Sequence, residues 1–253
     1  MTLALDPRRL LELPAAPRAS LLAQLTDLVT PQRLARMDAV LAARTAHLTV
    51  VFEDVYHPHN ASAVLRTCEC LGLQDVHVVE DTKAFRPARD IARGSARWLT
   101  LHRWRRDEGG GVEACLAALR AQGYRIVATS PGEGAIPLDE VQLERPLAVC
   151  FGTEETGLSP TAFAAADLRV TIPTPGFTRS LNVSVTAALV LYELATRLRA
   201  DGPAPPLPPE RCADLTLLWL AEERRSARGL AREAHTAAGL LPPPPPYFRD
   251  RPR

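Results

Sequence analysis

Ile172-Pro173-Thr174-Pro175-Gly176-Phe177-Thr178-Arg179-Ser180-Leu181-Asn182-Val183-Ser184-Val185 is a loop stiffened by proline and glycine that runs directly into a helix with a polar start. Pro173, Pro175 and Gly176 hold the backbone without a ladder partner, which suits a loop that must keep its shape around a ligand. Ser180 and Asn182 are both good N-cap residues, so the free amides at the head of the helix point at whatever lies in front of it. A simple capped helix accounts for Asn182 alone. The run just upstream, residues 168–172, reads as a buried strand, so the unit is strand, rigid loop, helix.

Working outward, the same alternation recurs. Short apolar runs at 48–52, 76–79, 124–129 and 147–151 read as strands. Between them lie a helix that begins at Asn60 and closes at Gly72, a helix over 112–121 ending before Gly123, and a long helix over 182–199. This pattern predicts an α/β fold, a mostly parallel sheet with helices on both faces. In such sheets ligands bind outside the carboxyl ends of the strands, where Thr129, Gly152 and Ile172 fall.

Residues 1–46 are helical in pattern, broken at Pro14 and Pro17, with Thr30-Pro31 opening a second helix. The prolines at 203–209 read as a stiff linker into one helix over 210–238, and Pro242 to Arg253 as a flexible tail. The expected organisation is an N-terminal helical extension (1–46), a central domain (47–200) and a C-terminal linker, helix and tail (201–253).

A chain of 253 residues with 46% hydrophobic residues is ample for a packed core. No stretch reaches the length of a membrane span and the N-terminus lacks a signal-peptide pattern, so a cytoplasmic protein without a membrane partner is expected. Five cysteines form neither a metal-ligand spacing nor a disulfide framework, and no metal is expected.

The net charge is +1, but residues 83–106 carry eight basic side chains against Asp90 alone. Arg86, Arg89, Arg93, Arg97 and Arg103 are the candidate RNA contacts there, and Trp98, His102 and Trp104 add stacking faces. A solvated arginine-rich surface is the alternative reading of that stretch. The glycine fingerprint of dinucleotide enzymes is absent, since Gly132-Glu133-Gly134 is only a fragment of it, and no Walker loop occurs.

Three motifs carry a resemblance. His57-Pro58-His59-Asn60-Ala61-Ser62-Ala63-Val64-Leu65-Arg66-Thr67 resembles the first motif of the SpoU/TrmH-type RNA ribose 2′-O-methyltransferases, in the SPOUT superfamily. Phe151-Gly152-Thr153-Glu154-Glu155-Thr156-Gly157-Leu158 is similar to the second, and Ser180-Leu181-Asn182-Val183-Ser184 to the third. They come in the family's order, each near the end of an expected strand, and the resemblance spans residues 34–199.

The resemblance implies a parallel sheet with a C-terminal trefoil knot, S-adenosylmethionine as cofactor, and a homodimer. It also implies a cofactor cradle at Thr129, Gly152, Ile172 and Leu181. By motif it gives the catalytic role to Arg66, supported by Asn60 and Glu154, with Ser180 and Asn182 shaping the site. Arg66 outside that context reads as an ordinary surface arginine. Holding a guanidinium neutral at pH 7 costs about 9 kcal/mol at ~1.36 kcal/mol per pKa unit, so a charged Arg66 that stabilises a developing alkoxide is the safer of its two roles.

The helical extensions on both sides of the core resemble the tRNA (guanosine-2′-O)-methyltransferase branch, which modifies the D-loop guanosine at position 18. The resemblance therefore implies a tRNA substrate. The alternatives are 23S rRNA ribose methylation and a catalytically silent RNA-binding dimer of the same fold.

Overall fold

The structure, a computed structural model, describes residues 7–85, 94–130, 134–178, 180–200, 202–223 and 225–239. Arg86, Arg89, Arg93 and Arg179 lie outside these, as do Gly132, Glu133 and the proline-rich tail. The chain divides into two compact units, one of residues up to Leu41 together with those from Pro208 onward, the other Ala42–Leu207.

The larger unit is built on seven parallel strands: β1 (Leu48–Glu53), β2 (Asp75–Glu80), β3 (Thr100–Arg105), β4 (Arg125–Thr129), β5 (Ile136–Pro137), β6 (Leu147–Phe151) and β7 (Leu168–Thr171). Their order across the sheet is β3-β2-β1-β6-β4-β7-β5. β1 and β6 are buried at every position, as expected of central strands covered on both faces. Alternate residues feed two cores. Val50, Phe52, Val149 and Phe151 join the cluster under α3 (Pro58–Cys70), while Val51, Ala148 and Cys150 join Cys115 and Leu116 of α4 (Val112–Ala121) and Ala162 of α5 (Pro160–Ala165). Ala187, Leu191 and Leu194 of α6 (Val183–Leu198) complete the first cluster beside α3.

The smaller unit holds α1 (Ala15–Thr26), most of α2 (Pro31–Ala42), α7 (Pro209–Glu223) and α8 (Arg225–Ala237). Leu21 and Leu25 of α1 and Leu215, Trp219 and Leu220 of α7 are buried. Arg18 pairs with Asp214, and Arg33 grips Glu223 through two hydrogen bonds of 2.9 Å, a fork on a carboxylate.

Several expectations need correction. β3 falls where only a basic, aromatic stretch was read. It is an edge strand, half-exposed and charged, so it lacks the apolar run that marks a buried strand. β5 is two residues long, ends in Pro137 and carries no periodicity. Pro17 does not break a helix but sits in the first turn of α1, where its missing N–H is tolerated. The single helix expected over 210–238 is two helices, α7 and α8. α3 starts at Pro58 instead of Asn60, with proline at its first position.

No helix among the described residues is long and apolar enough to cross a membrane. Nor do they contain a cluster of three or more His, Cys, Asp or Glu side chains that could hold a metal ion.

Candidate active site

The carboxyl ends of β4, β6 and β7 open onto one cavity of about 490 Å³, within the range of pockets that enclose a small molecule. Thr129 stands at the end of β4, Gly152 after β6 and Ile172 after β7, and Ser180 and Leu181 close the side before α6. All four residues expected to cradle a cofactor, Thr129, Gly152, Ile172 and Leu181, therefore line the same space.

Backbone geometry explains the shape. The turn after β6 folds back on itself, Thr153 and Gly157 exchanging N–H and C=O groups at 3.1 Å in both directions. The Thr153 hydroxyl accepts from the Thr156 N–H at 3.0 Å. Gly152 lies so close to this turn that a Cβ there would stand 2.1 Å from the Gly157 carbonyl carbon and oxygen. Only glycine lets the strand end and the returning turn approach in this way. Glu53, at the end of β1, is buried and accepts the Ser159 N–H at 2.8 Å, which ties the exit of the turn to the central strand. Burial, only partly offset by that hydrogen bond, holds its carboxyl above the usual range.

Beside the cavity, one residue from each motif meets the other two. The Asn60 amide, in the first turn of α3, donates to Glu154 Oε1 at 3.0 Å. Asn182 donates to the same carboxylate oxygen and, at 3.1 Å, to Oδ1 of Asn60. Asn182 Oδ1 caps α6 by accepting the Ser184 N–H at 2.9 Å, while the Val183 N–H approaches Glu154 Oε1 at 3.4 Å. A carboxylate at the head of α6 is also where the helix dipole favours negative charge. Ser180 is exposed and faces the cavity, outside this hydrogen-bonded trio.

Arg66 is not brought to the cavity. It lies on α3, exposed and with no ion pair among the described residues. Among the RNA candidates, Arg97 stacks its guanidinium 4.3 Å over the Trp98 ring. Arg103 reaches Glu80 at 3.4 Å and donates to the Phe85 carbonyl. Part of the basic patch is thus paired, since Arg105 also contacts Glu80 and Glu108, and Arg106 contacts Asp81. Glu80 and Asp81 could not be read as partners in the chain, since they belong to the neighbouring strand and its turn.

The cavity fits S-adenosylmethionine in its chemistry. Its described lining carries two carboxylates, Glu154 and Glu155, and no basic side chain, which suits a sulfonium cation and disfavours a pyrophosphate. Phe151, Val170, Ile172 and Leu181 supply apolar surface for an aromatic base.

Comparison with known proteins agrees with this geometry. Residues 47–192 match the model of the SpoU rRNA Methylase family. A tRNA (guanosine(18)-2′-O)-methyltransferase of Borreliella burgdorferi is 42% identical over 178 residues, which span 70% of this chain and 79% of the relative. Among solved structures, the A. aeolicus TrmH/SpoU tRNA modifying enzyme superimposes with a TM-score of 0.68 at 28% identity, over 76% of this chain and 96% of the other. The SpoU methyltransferase AviRb from Streptomyces viridochromogenes, in complex with the cofactor AdoMet, does so with a TM-score of 0.53 at 27% identity, over 64% of each chain. The matched stretch includes the cavity at the strand ends and the motifs joined around Glu154, and this chain belongs to the SpoU methylase family.

Proposed function

We propose that the protein is an S-adenosylmethionine-dependent tRNA (guanosine(18)-2′-O)-methyltransferase that acts as a homodimer in the cytoplasm. The observation that carries this is the meeting of Asn60, Glu154 and Asn182 beside the cavity, in a chain that spans most of a relative named for that activity. The knot expected of the fold is part of the same reading.

Bound in the cavity, S-adenosylmethionine supplies the methyl group. Thr129, Gly152, Ile172 and Leu181 would hold it, and Glu154 and Glu155 are the carboxylates of the described lining that would face its positive charge. Glu154 fixes both amide side chains, so Asn60 and Asn182 keep one orientation and need no reorganisation when the ribose arrives. Ser180 offers a hydroxyl at the cavity wall. Arg66 stays charged and stabilises the negative charge that grows on the 2′-oxygen as it loses its proton. Arg97 and Arg103, with Arg86, Arg89 and Arg93, contact the RNA backbone.

The exposed face of α6 supports the dimer. Val185, Leu189 and Tyr192 are 45%, 45% and 61% exposed and lie on one stripe of the helix, beside Leu181 at 41%. A contiguous apolar face of this kind is normally covered by another protein surface. Leu181 belongs both to that face and to the cavity wall, and Arg66 does not reach the cavity of its own chain, so we assign completion of the site to a second copy.

The test is to incubate the protein with labelled S-adenosylmethionine and unmodified tRNA and rRNA transcripts, then map ribose methylation. Label at guanosine 18 of tRNA supports the reading. Label confined to rRNA transfers the activity to the ribosomal substrate, and no label in either leaves an RNA-binding dimer.

A further inference from the structure

The turn after β2 is held by one side chain from the turn after β1. Asp54 has φ of 52°, in the left-handed region that residues other than glycine seldom occupy. Its carboxylate explains why the strain persists. Oδ1 accepts the N–H groups of Asp81, Thr82 and Lys83 at 2.9, 2.9 and 3.1 Å, and Oδ2 accepts the Thr82 hydroxyl at 2.7 Å. The Asp54 N–H in turn donates to the Val79 carbonyl at 3.1 Å. Four donors on one carboxylate lock the position of residues 81–83 at the carboxyl end of the sheet.

What this turn presents is Lys83, the only lysine of the chain. It is exposed, with its ammonium 5.4 Å from the centre of the Tyr56 ring. Tyr56 leans on His57 at 4.3 Å between ring centres, and both line a small recess shared with Asn60 and Glu154. Arg103, Arg105 and Arg106 of the same patch each pair with a carboxylate, whereas Lys83 has no ion pair among the described residues.

We propose that Lys83 is a substrate-binding residue that takes an RNA backbone phosphate next to the nucleotide presented to Asn60 and Glu154, and that Asp54 is the positioning residue that sets it there. This rests on the activity proposed above. An ammonium with three donors suits a single phosphate oxygen, and a cation poised over an aromatic ring leaves the ring edge open to a ribose or base.

The experiment measures methyl transfer to a tRNA transcript, and filter binding of that transcript, for the full chain and the variants K83A, K83R, D54G and D54N. K83A raises KM for tRNA about fivefold or more, leaves kcat within about twofold, and lowers the slope of log affinity against log salt by about one, while K83R keeps most of the wild-type affinity. D54G keeps the left-handed backbone but loses the carboxylate, so it shifts KM in the same direction. D54N retains an acceptor oxygen and recovers most of the loss. D54G combined with K83A is no worse than K83A alone, because both remove the same contact. An unchanged KM and salt slope in K83A, or an equal fall in kcat, overturns the proposal. If the wild type methylates no tRNA, the functional reading fails, and Lys83 is still judged on filter binding alone.

Discussion

Asn60 donates a 3.0 Å hydrogen bond to Oε1 of Glu154, a residue 94 positions further along the chain. Asn182 donates to the same oxygen, so one carboxylate orients two amide side chains and the head of a helix. Glu154→Ala removes the shared acceptor. Loss of hydrogen bonds to a charged group corresponds to about 1.5–3 kcal/mol, so methyl transfer is expected to fall about 10- to 100-fold. Glu154→Gln keeps an acceptor oxygen and falls less. Single-turnover rates at saturating cofactor check this, and a wild-type rate in Glu154→Ala would remove the trio from the mechanism.

Arg66 does not line the cavity of its own chain, so its loss should spare the cofactor. Arg66→Ala is expected to lower turnover at least about 100-fold, the size typical of losing a group that stabilises developing charge, with S-adenosylmethionine binding within about twofold of wild type. Calorimetric titration beside the rate assay separates the two. Abolished cofactor binding would mean that Arg66 is a cradle residue.

Gly152→Ala forces a Cβ to within 2.1 Å of the Gly157 carbonyl. Overpacking of this kind costs about 1–3 kcal/mol, and the turn that has to move forms one wall of the cavity. The expected result is a melting temperature lowered by several degrees together with at least about tenfold weaker cofactor binding, read by calorimetry. Unchanged affinity would show that the turn adjusts freely.

The exposed stripe of α6 gives a test of assembly. Tyr192→Glu or Leu189→Glu places a charge on a face that a second copy is proposed to cover. Both variants are expected to run as monomers in light scattering and to lose methyl transfer while keeping their secondary structure. A dimer that survives both changes would place the interface elsewhere.

His77 predicts a pH dependence of stability. Burial, with the neighbouring His102 second, lowers its imidazole from the ordinary value of 6.5 to about 4, while Asp75 acts the other way. The ring stacks on His102 at 4.5 Å and accepts the Trp104 indole N–H at 3.1 Å, so it is neutral in the folded chain at pH 7. As pH falls below about 6.5, the unfolded chain binds a proton that the folded chain refuses. The stability contribution is complete above that pH and is lost as pH falls towards 4, in total about 3 kcal/mol at ~1.36 kcal/mol per pKa unit. Urea unfolding between pH 7 and 4.5 should show this decline. His77→Phe is less stable at pH 7 because Trp104 loses its acceptor, yet it has a flatter profile, and an equally steep profile would assign the titration to another group.

The strands β1 and β6 and the helix α4 were legible in the chain, because central parallel strands are continuous apolar runs and a capped amphipathic helix has its own period. The residue types around the cavity were legible as well, since the motifs at Asn60, Glu154 and Asn182 are local strings. β3 and β5 were not, because an edge strand half in solvent needs no apolar pattern and takes its place from the strand beside it. The pairing of Arg103, Arg105 and Arg106 with Glu80 and Asp81, and the anchoring of Lys83 by Asp54, could not be read either. Each depends on pairs 23 to 29 positions apart that only the parallel register of β1, β2 and β3 makes neighbours. The sequence by itself determined the buried strands, the amphipathic helices and the residue types that the three motifs carry. Tertiary structure alone decided which charges are already paired and which face is left uncovered, because burial and pairing belong to the packed sheet and to no local stretch of chain.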